Sequence, residues 1–194
     1  MAVRVEERAE LRKHLISLEE YERMIEADVF ETEARLELIR GEIVEMTPPG
    51  PAHEVMVARL HRLFAKLVGD AGLIWPQGNS IRLPQSKSRP QPDLTILRWR
   101  DDLYADKRPY PEDVILLVEV SDSTLAFDRR GKMALYAEAA IPEYWVINIV
   151  DKSVEVYAQP TAGKYQVVRA LRRGEIIPLS HPLEGDIAVD DILR

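Results

Sequence analysis

Residues 114–118 constrain the fold of this chain more than any other stretch. They are five apolar residues in succession, with no polar side chain for a solvent-facing side. Such a run is typical of a central strand that helices cover on both faces of the sheet. Glu119 follows directly, and an unpaired carboxylate in an apolar core costs several kcal/mol. The sequence therefore predicts a partner for Glu119, either a metal ion or an arginine at the end of the strand.

The patterns around this strand predict a mixed α/β fold with a central mixed β-sheet flanked by helices. At the N-terminus, Ser17 and Glu20 resemble a capping box, which predicts a short helix to about Asp28. Arg40-Gly41 is the predicted tight turn of a β-hairpin over residues 36–46, because glycine supplies the positive φ that such a turn needs. The fold therefore begins with a helix and a hairpin rather than with a strict alternation of strands and helices.

Apolar residues at helical spacing predict a long helix over residues 53–68 and a second helix from residue 127 or 128 to about 140. Short apolar or alternating stretches predict the strands of the sheet. These predicted strands lie at residues 73–75, 79–83, 93–98, 114–120, 143–149, 154–157, 164–169 and 176–179.

The length of 194 residues predicts a single domain, with residues 1–14 as a loose charged tail. No apolar run approaches the roughly 18 residues of a membrane helix. The charged N-terminus lacks an apolar signal core, so a cytoplasmic location is expected. The chain has no cysteine, which excludes disulfides, thiolate zinc sites and cysteine nucleophiles.

The net charge of -7 argues against a protein that coats nucleic acid non-specifically. This negative net charge does not exclude an enzyme with a local basic groove. The span 82–108 is such a candidate, and it is either a phosphate-binding surface or a solvated charged loop. Its basic residues are Arg82, Lys87, Arg89, Arg98, Arg100, Lys107 and Arg108, against the acids Asp93, Asp101, Asp102 and Asp106.

Asp93 and Glu119 come together if strands 93–98 and 114–120 are antiparallel neighbours, because the start of one then lies beside the end of the other. Two carboxylates at one sheet edge are oxygen ligands suited to Mg²⁺ or Mn²⁺. The backbone carbonyl of Val120 is a candidate third ligand. Taken alone, Asp93 after Pro92 is equally consistent with an ordinary turn residue.

Lys132 lies on the otherwise apolar face of the second long helix, so its ammonium must snorkel to solvent or point into a polar cleft. In a cleft with two carboxylates it could position an attacking water or stabilise a pentacovalent phosphate. The alternative is a simple pairing with Asp128 one helical turn away. Glu37 and His53 are secondary candidates, Glu37 as a further acid near the site and His53 as either a site residue or a helix-start packing residue.

Pro92-Asp93 followed by a glutamate at the end of an apolar strand resembles the PD-(D/E)XK nuclease pattern. That pattern has a lysine two residues after the glutamate, where this chain has Ser121. Lys132 on the following helix resembles the migrated lysine known within the superfamily. The resemblance implies a restriction-endonuclease-like core.

The ordered motifs also resemble the Uma family of restriction-endonuclease-like proteins over roughly residues 17–180. The matching positions are Glu37, Leu38, Ile39, Gly41, Met46, Pro48 and His53, then Pro92-Asp93, then Glu119 to Thr124, then Asp128, Lys132 and Tyr136, and finally Glu143-Tyr144-Trp145. Two positions depart from the family pattern, where Arg40 and Asn148 replace common aspartates.

The resemblance implies a Mg²⁺- or Mn²⁺-dependent endonuclease that cleaves DNA as a homodimer. Asp93, Glu119 and the Val120 carbonyl are then the metal ligands, and Asp93, Glu119, Lys132, Glu37 and His53 are the candidate catalytic residues. Two other functions fit the sequence. One is a non-catalytic member of the fold that binds nucleic acid or a protein, and the other is a metal-dependent hydrolase of a small phosphorylated substrate.

Overall fold

The structure is a computed structural model that describes residues 12–31 and 34–194. Most of the predicted tail over residues 1–14 lies outside this range, and residues 12–14 have no regular secondary structure. Among the described residues, no helix combines the length and the apolar character that a membrane span requires.

The N-terminal helix and hairpin form as predicted. Helix α1 spans Leu18–Glu26, and Ser17 and Glu20 make the reciprocal capping-box hydrogen bonds. Strands β1 (Leu36–Ile39) and β2 (Glu42–Glu45) are antiparallel. Arg40 and Gly41 between them have φ values of 52° and 78°. Two consecutive positive φ values are typical of the type I′ turn that suits the twist of a two-residue hairpin.

A six-stranded sheet forms the centre of the protein, with its strands in the order β3-β4-β5-β6-β7-β8. Strands β5 and β6 are parallel and the other neighbours are antiparallel, so the predicted mixed sheet is confirmed. The strands are β3 Leu73–Trp75, β4 Leu94–Leu97, β5 Val114–Ser121, β6 Glu143–Asn148, β7 Ser153–Thr161 and β8 Lys164–Leu171.

Helices cover both faces of this sheet, as the apolar run at 114–118 predicts. Helix α2 (Pro51–Leu67) packs on one face, where Leu60 and Phe64 meet Leu116 and Val118 in one core cluster. Pro51 is the first residue of α2, a position at which proline loses no helical hydrogen bond.

The second long helix is interrupted on the opposite face. It consists of α3 (Leu125–Phe127), a π-helical turn (Asp128–Lys132) and α4 (Met133–Glu138). Leu135 and Tyr136 of this segment pack in the second core cluster, which also contains Leu117 of β5. Because side chains alternate along a strand, Glu119 points to the same face as Leu117.

The prediction of a strand at residues 79–83 is wrong, because this segment forms no regular ladder in the described structure. Its amide groups donate instead to scattered loop carbonyls, with Ile81 bonded to Pro90, Arg82 to Pro109 and Leu83 to Ser88. Buried Ile81 and Leu83 explain the strand-like sequence pattern.

The C-terminal residues form a small unit against α2. Strand β9 (Ile176–Pro178) pairs with β10 (Asp186–Ala188), and helix α5 (Val189–Ile192) follows. The side chain of Arg59 on α2 donates to the backbone carbonyl of Ile192 at 2.9 Å. Strand β9 confirms the strand predicted at residues 176–179, whereas β10 and α5 lie in the last ten residues, for which the sequence alone is ambiguous.

Candidate active site

Asp93 and Glu119 lie at the same end of the neighbouring strands β4 and β5. The register pairs Leu94 with Val118, which places the two acids opposite each other at the next position. The N–H of Val120 donates to Asp93 Oδ2 at 2.8 Å. The antiparallel pairing predicted for these strands is therefore present, and it brings Asp93 against the end of β5.

Lys132 reaches this end of the sheet from the π-helical turn. Its Nζ donates to Glu119 Oε1 at 2.9 Å and to Glu37 Oε1 at 3.1 Å, and the residue is only 1% exposed. The simple pairing with Asp128 does not form, because the hydrogen bonds of Lys132 go to these two glutamates. Asp128 Oδ2 accepts instead from Ser121 Oγ at 2.7 Å and Thr124 Oγ1 at 2.6 Å.

Glu37 enters the site from strand β1 of the hairpin. The backbone N–H of Gln91 donates to Glu37 Oε1 at 2.8 Å, so this oxygen is shared by an amide and the Lys132 ammonium. The other oxygen, Oε2, is buried and has no hydrogen-bond partner within residues 12–31 and 34–194. A buried carboxylate oxygen without a partner carries a desolvation cost, and a bound cation would remove it.

His53 lies in the first turn of α2 and contacts Asp93. Its Nε2 is 3.0 Å from Asp93 Oδ2, and Gln77 Nε2 donates to Asp93 Oδ1 at 3.2 Å. His53 Nδ1 is buried and finds no partner in the described part of the chain. The imidazole is therefore placed by Asp93 rather than by capping the helix.

The acids outnumber the bases around the central cavity, which has a volume of about 80 Å³. A cavity of this size has room for several water molecules. Among the described residues, five acidic side chains line it, against two cations and one imidazole. The acids are Glu37, Asp93, Glu119, Asp122 and Asp128, the cations are Arg35 and Lys132, and the imidazole is that of His53.

Burial and this imbalance of charge together shift the pKa values of the buried groups. Burial raises the pKa of Glu119 well above its usual value, and the negative charge of Asp93 acts in the same direction against the opposing effect of Lys132. Burial lowers the pKa of Lys132, but the carboxylates of Glu119 and Glu37 outweigh burial, so the pKa is raised and the ammonium stays charged. One ammonium is thus shared by more carboxylates than it can neutralise.

The donor set fits a hard divalent cation. Mg²⁺ is commonly held by one or two carboxylates, with waters and substrate phosphates completing its shell. Asp93 and Glu119 would supply the carboxylates, and Val120, whose N–H contacts Asp93, also lines the cavity. No cluster of three or more His, Cys, Asp or Glu side chains suited to a metal occurs among the described residues. The fit is therefore to a two-carboxylate site rather than to an all-protein cage.

The family described as "Uma2: Putative restriction endonuclease" matches residues 18–190. The chain belongs to the Uma2 family. A solved structure titled as a putative nuclease belonging to DUF820 from Anabaena variabilis ATCC 29413 is also similar, with a TM-score of 0.68 and 15% identity over 92% of this chain and 97% of that chain. At this identity the likeness concerns the fold. A comparison with curated proteins gave no match.

Both departures from the Uma pattern lie outside the cavity. The Arg40 guanidinium pairs with Glu138 at 2.8 Å, at the end of α4. The Asn148 side chain donates to Asp151 Oδ2 at 2.9 Å and stabilises the turn after β6. Neither side chain contacts the acids that surround Lys132.

Four residues of this Uma2 site escaped the sequence-based interpretation as site residues. Tyr136 donates its hydroxyl to Glu119 Oε1 at 2.9 Å, and burial followed by the charge of Glu119 raises its pKa well above the usual value. Asp128, Arg35 and Gln91 line the cavity. The four-residue spacing of Asp128, Lys132 and Tyr136 was a usable signal for two of these residues, whereas Arg35 and Gln91 gave none.

Proposed function

We propose that this Uma2 protein is a divalent-metal-dependent endonuclease that hydrolyses phosphodiester bonds in DNA. The observation that carries the proposal is the shared contact of Lys132 with Glu37 and Glu119 at a cavity that Asp93 also lines. The family description and the nuclease title of the similar structure point to the same reaction class.

In this proposal Asp93 and Glu119 hold Mg²⁺ or Mn²⁺, with the Val120 carbonyl as a further ligand. The bound ion would supply a lowered pKa for water and charge compensation for the phosphate oxygens. Glu37 would bind a water or a second ion through its unpartnered Oε2.

The roles of the remaining residues follow from their protonation and position. The Lys132 ammonium orients the attacking water and stabilises the negative charge that develops on the phosphorus oxygens. Its charge does not depend on pH near neutrality, because its pKa is raised. His53, which is fixed by Asp93, is placed to exchange a proton at the cavity wall.

Arg35 would hold the substrate phosphate at the mouth of the cavity. It precedes strand β1 by one residue and shares the face of Glu37, since residues two apart on an extended chain point the same way. Lys132 is engaged by two glutamates, and Arg35 is the other lysine or arginine that lines the cavity in the described part of the chain.

The test is cleavage of supercoiled plasmid DNA in Mg²⁺ or Mn²⁺ by the wild type, Asp93→Asn and Lys132→Met. We expect at least about 100-fold slower cleavage for both variants, since a single group that stabilises transition-state charge accounts for this much. Glu155→Gln, a buried acid outside the cavity, is the matched control and should cleave within a few fold of the wild type. Cleavage that persists in Asp93→Asn or Lys132→Met would exclude the assignment.

The resemblance to restriction endonucleases also implies a homodimer, because one active site cuts one strand at a time. Light scattering coupled to size-exclusion chromatography measures this directly. A monomer that cleaves both strands in one binding event would contradict the dimer.

A further inference from the structure

The basic span 82–108 divides into two groups in the structure. Arg98 and Arg100 are engaged locally, since Arg98 donates to the carbonyl of Glu112 at 3.1 Å and Arg100 pairs with Asp102 at 2.5 Å. Arg82, Arg89 and Arg108 behave differently. They converge on one surface next to helix α1, and they are called the arginine cluster below.

Two side-chain contacts and one backbone hydrogen bond establish the convergence. The Arg82 guanidinium donates to Glu22 Oε2 at 3.0 Å, and Arg89 Nη1 lies 4.0 Å from Glu22 Oε1. Burial lowers the pKa of Arg89, and the charge of Arg108 is the next contribution in the same direction. The backbone N–H of Arg82 donates to the carbonyl of Pro109 at 2.8 Å, which brings the neighbouring Arg108 beside Arg82.

The cluster carries more positive charge than its own acids neutralise. Glu22 on α1 serves both Arg82 and Arg89, and Glu19 reaches Arg82 only at 4.0 Å. Lys107 adds a further cation, 4.2 Å from the centroid of the Tyr110 ring that also lies under Arg82.

Unused donors remain at this surface. Arg82 Nε is buried and has no hydrogen-bond partner in the described residues. Arg108 is exposed and donates to Asn79 Oδ1 at 3.3 Å. Partly buried guanidinium groups with spare N–H donors are the groups that bind phosphate oxygens in two-pronged geometry.

Two short segments connect the arginine cluster to the candidate active site. Gln77 donates to Asp93, and Asn79, which accepts from Arg108, is two residues further on. Gln91 donates to Glu37 through its backbone, and Arg89 is two residues before it. Two residues of chain span at most about 7 Å, so each segment links an acid of the site to an arginine of the cluster over a short distance.

We propose that the arginine cluster binds a backbone phosphate of the DNA strand next to the cleaved bond, and that the Glu22 carboxylate occupies this phosphate site in the free protein. The proposal rests on the function proposed above and extends it to a second binding site. A carboxylate and a phosphate present the same paired oxygens to a guanidinium, so Glu22 competes with the substrate.

The first test measures binding of a fluorescent DNA duplex by anisotropy in EDTA, where cleavage cannot interfere, over a range of salt concentrations. Arg108→Ala should bind about 5- to 10-fold more weakly at low salt, and its salt dependence should decrease by about one released ion. Arg169→Ala removes an exposed arginine from strand β8 and is the control. It should bind as the wild type does.

The second test uses helix α1. Glu22→Gln removes the competing charge but keeps the shape of the side chain, so it should bind DNA several-fold more tightly. Glu26→Gln, an exposed acid on the same helix, is the control and should leave affinity unchanged. Thermal unfolding of each variant checks that helix α1 remains folded.

The outcomes separate this inference from the nuclease assignment. If the wild type cleaves DNA but Arg108→Ala binds like Arg169→Ala, the phosphate site is wrong and the nuclease assignment stands. If Glu22→Gln binds DNA more weakly, then Glu22 orders the arginines and does not occupy the phosphate site. The proposed competition between Glu22 and DNA would then be wrong. A wild type that neither binds nor cleaves DNA removes both proposals. Polyglutamate that displaces DNA at equal charge concentration also overturns the inference, because the site would then not be selective for phosphate.

Discussion

Two buried glutamates lie at the same level of the central sheet, and their carboxylates are neutralised to different extents. Glu119 on β5 and Glu155 on β7 both flank Val146 of β6, so they are two strands apart in the same register. Each carboxylate accepts one or more hydrogen bonds from a cationic side chain of the π-helical turn and one from a tyrosine hydroxyl. For Glu119 these are Lys132 and Tyr136, and for Glu155 they are Arg129 and Tyr157.

The difference is in how completely each carboxylate is neutralised. Arg129 Nε donates to the two oxygens of Glu155 at 2.9 and 3.0 Å, and a second contact joins its Nη2 to Oε1. The Arg129 side chain is 40% exposed, so the pair shares its charge with solvent. Glu119 has to share one buried ammonium with Glu37 beside an acid-rich cavity. The first arrangement is suited to stability, and the second leaves negative charge for a cation.

The largest expected difference is in stability after loss of the basic partner. Lys132→Met leaves Glu37 and Glu119 buried without a counter-charge, which should cost about 3–5 kcal/mol. Arg129→Met should cost about 1–2 kcal/mol, because water reaches the freed carboxylate through the partly exposed site. Urea unfolding in EDTA measures both values, and equal losses would contradict the distinction between the two clusters.

A divalent cation should stabilise the folded protein through the acid-rich cluster around Glu119 and not through the Arg129–Glu155 pair. Saturating Mn²⁺ at about 100 times its dissociation constant should raise the free energy of unfolding by about 2.7 kcal/mol in the wild type. Glu119→Gln should lose this stabilisation, whereas Glu155→Gln should retain it. Calorimetry with and without Mn²⁺ provides the measurement. The non-catalytic alternative predicts no stabilisation in any of the three proteins.

Substitution of the two tyrosines distinguishes an effect on stability from an effect on activity. Tyr136→Phe and Tyr157→Phe each remove one hydroxyl hydrogen bond to a carboxylate, so each should cost about 1.5 kcal/mol of stability. Only Tyr136→Phe should also slow DNA cleavage, by about 10-fold, because it positions Glu119. Equal cleavage rates for the two variants would show that Tyr136 has a structural role alone.

The smallest effect, when it is expressed per pH unit, is the dependence of stability on pH without metal. The folded-state pKa of Glu119 is raised, so the native protein holds a proton that the unfolded chain releases above about pH 4.5. Stability should therefore fall as the pH rises above about 4.5 towards the raised pKa of Glu119, by at most about 1.4 kcal/mol per pH unit. Lys132 adds no slope in this range, since its pKa is raised above 10.5 and its contribution is lost only at higher pH.

Glu119→Gln should flatten this decline. Unfolding midpoints in EDTA at three pH values are sufficient to compare the slopes. A variant slope equal to that of the wild type would place the proton on another group.

The sequence by itself determined the framework of the protein. Three local patterns carry this framework: the apolar run at 114–118, the apolar face of α2 and the hairpin turn. Each pattern depends only on residues that are close together in the sequence. The sequence also predicted that Asp93, Glu119 and Lys132 meet, and they line one cavity, because strand ends and helix faces are fixed by those patterns.

Only the tertiary structure decided how the charges are distributed. Glu37 and Lys132 are 95 positions apart, and the choice of Lys132 for Glu37 over Asp128 depends on the π-helical turn and on the hairpin packed beside it. The same holds for Arg129, which neutralises Glu155 rather than an acid of the cavity. A buried ion is paired by whatever the fold brings within about 3 Å, and that distance is a property of the packed chain rather than of sequence spacing.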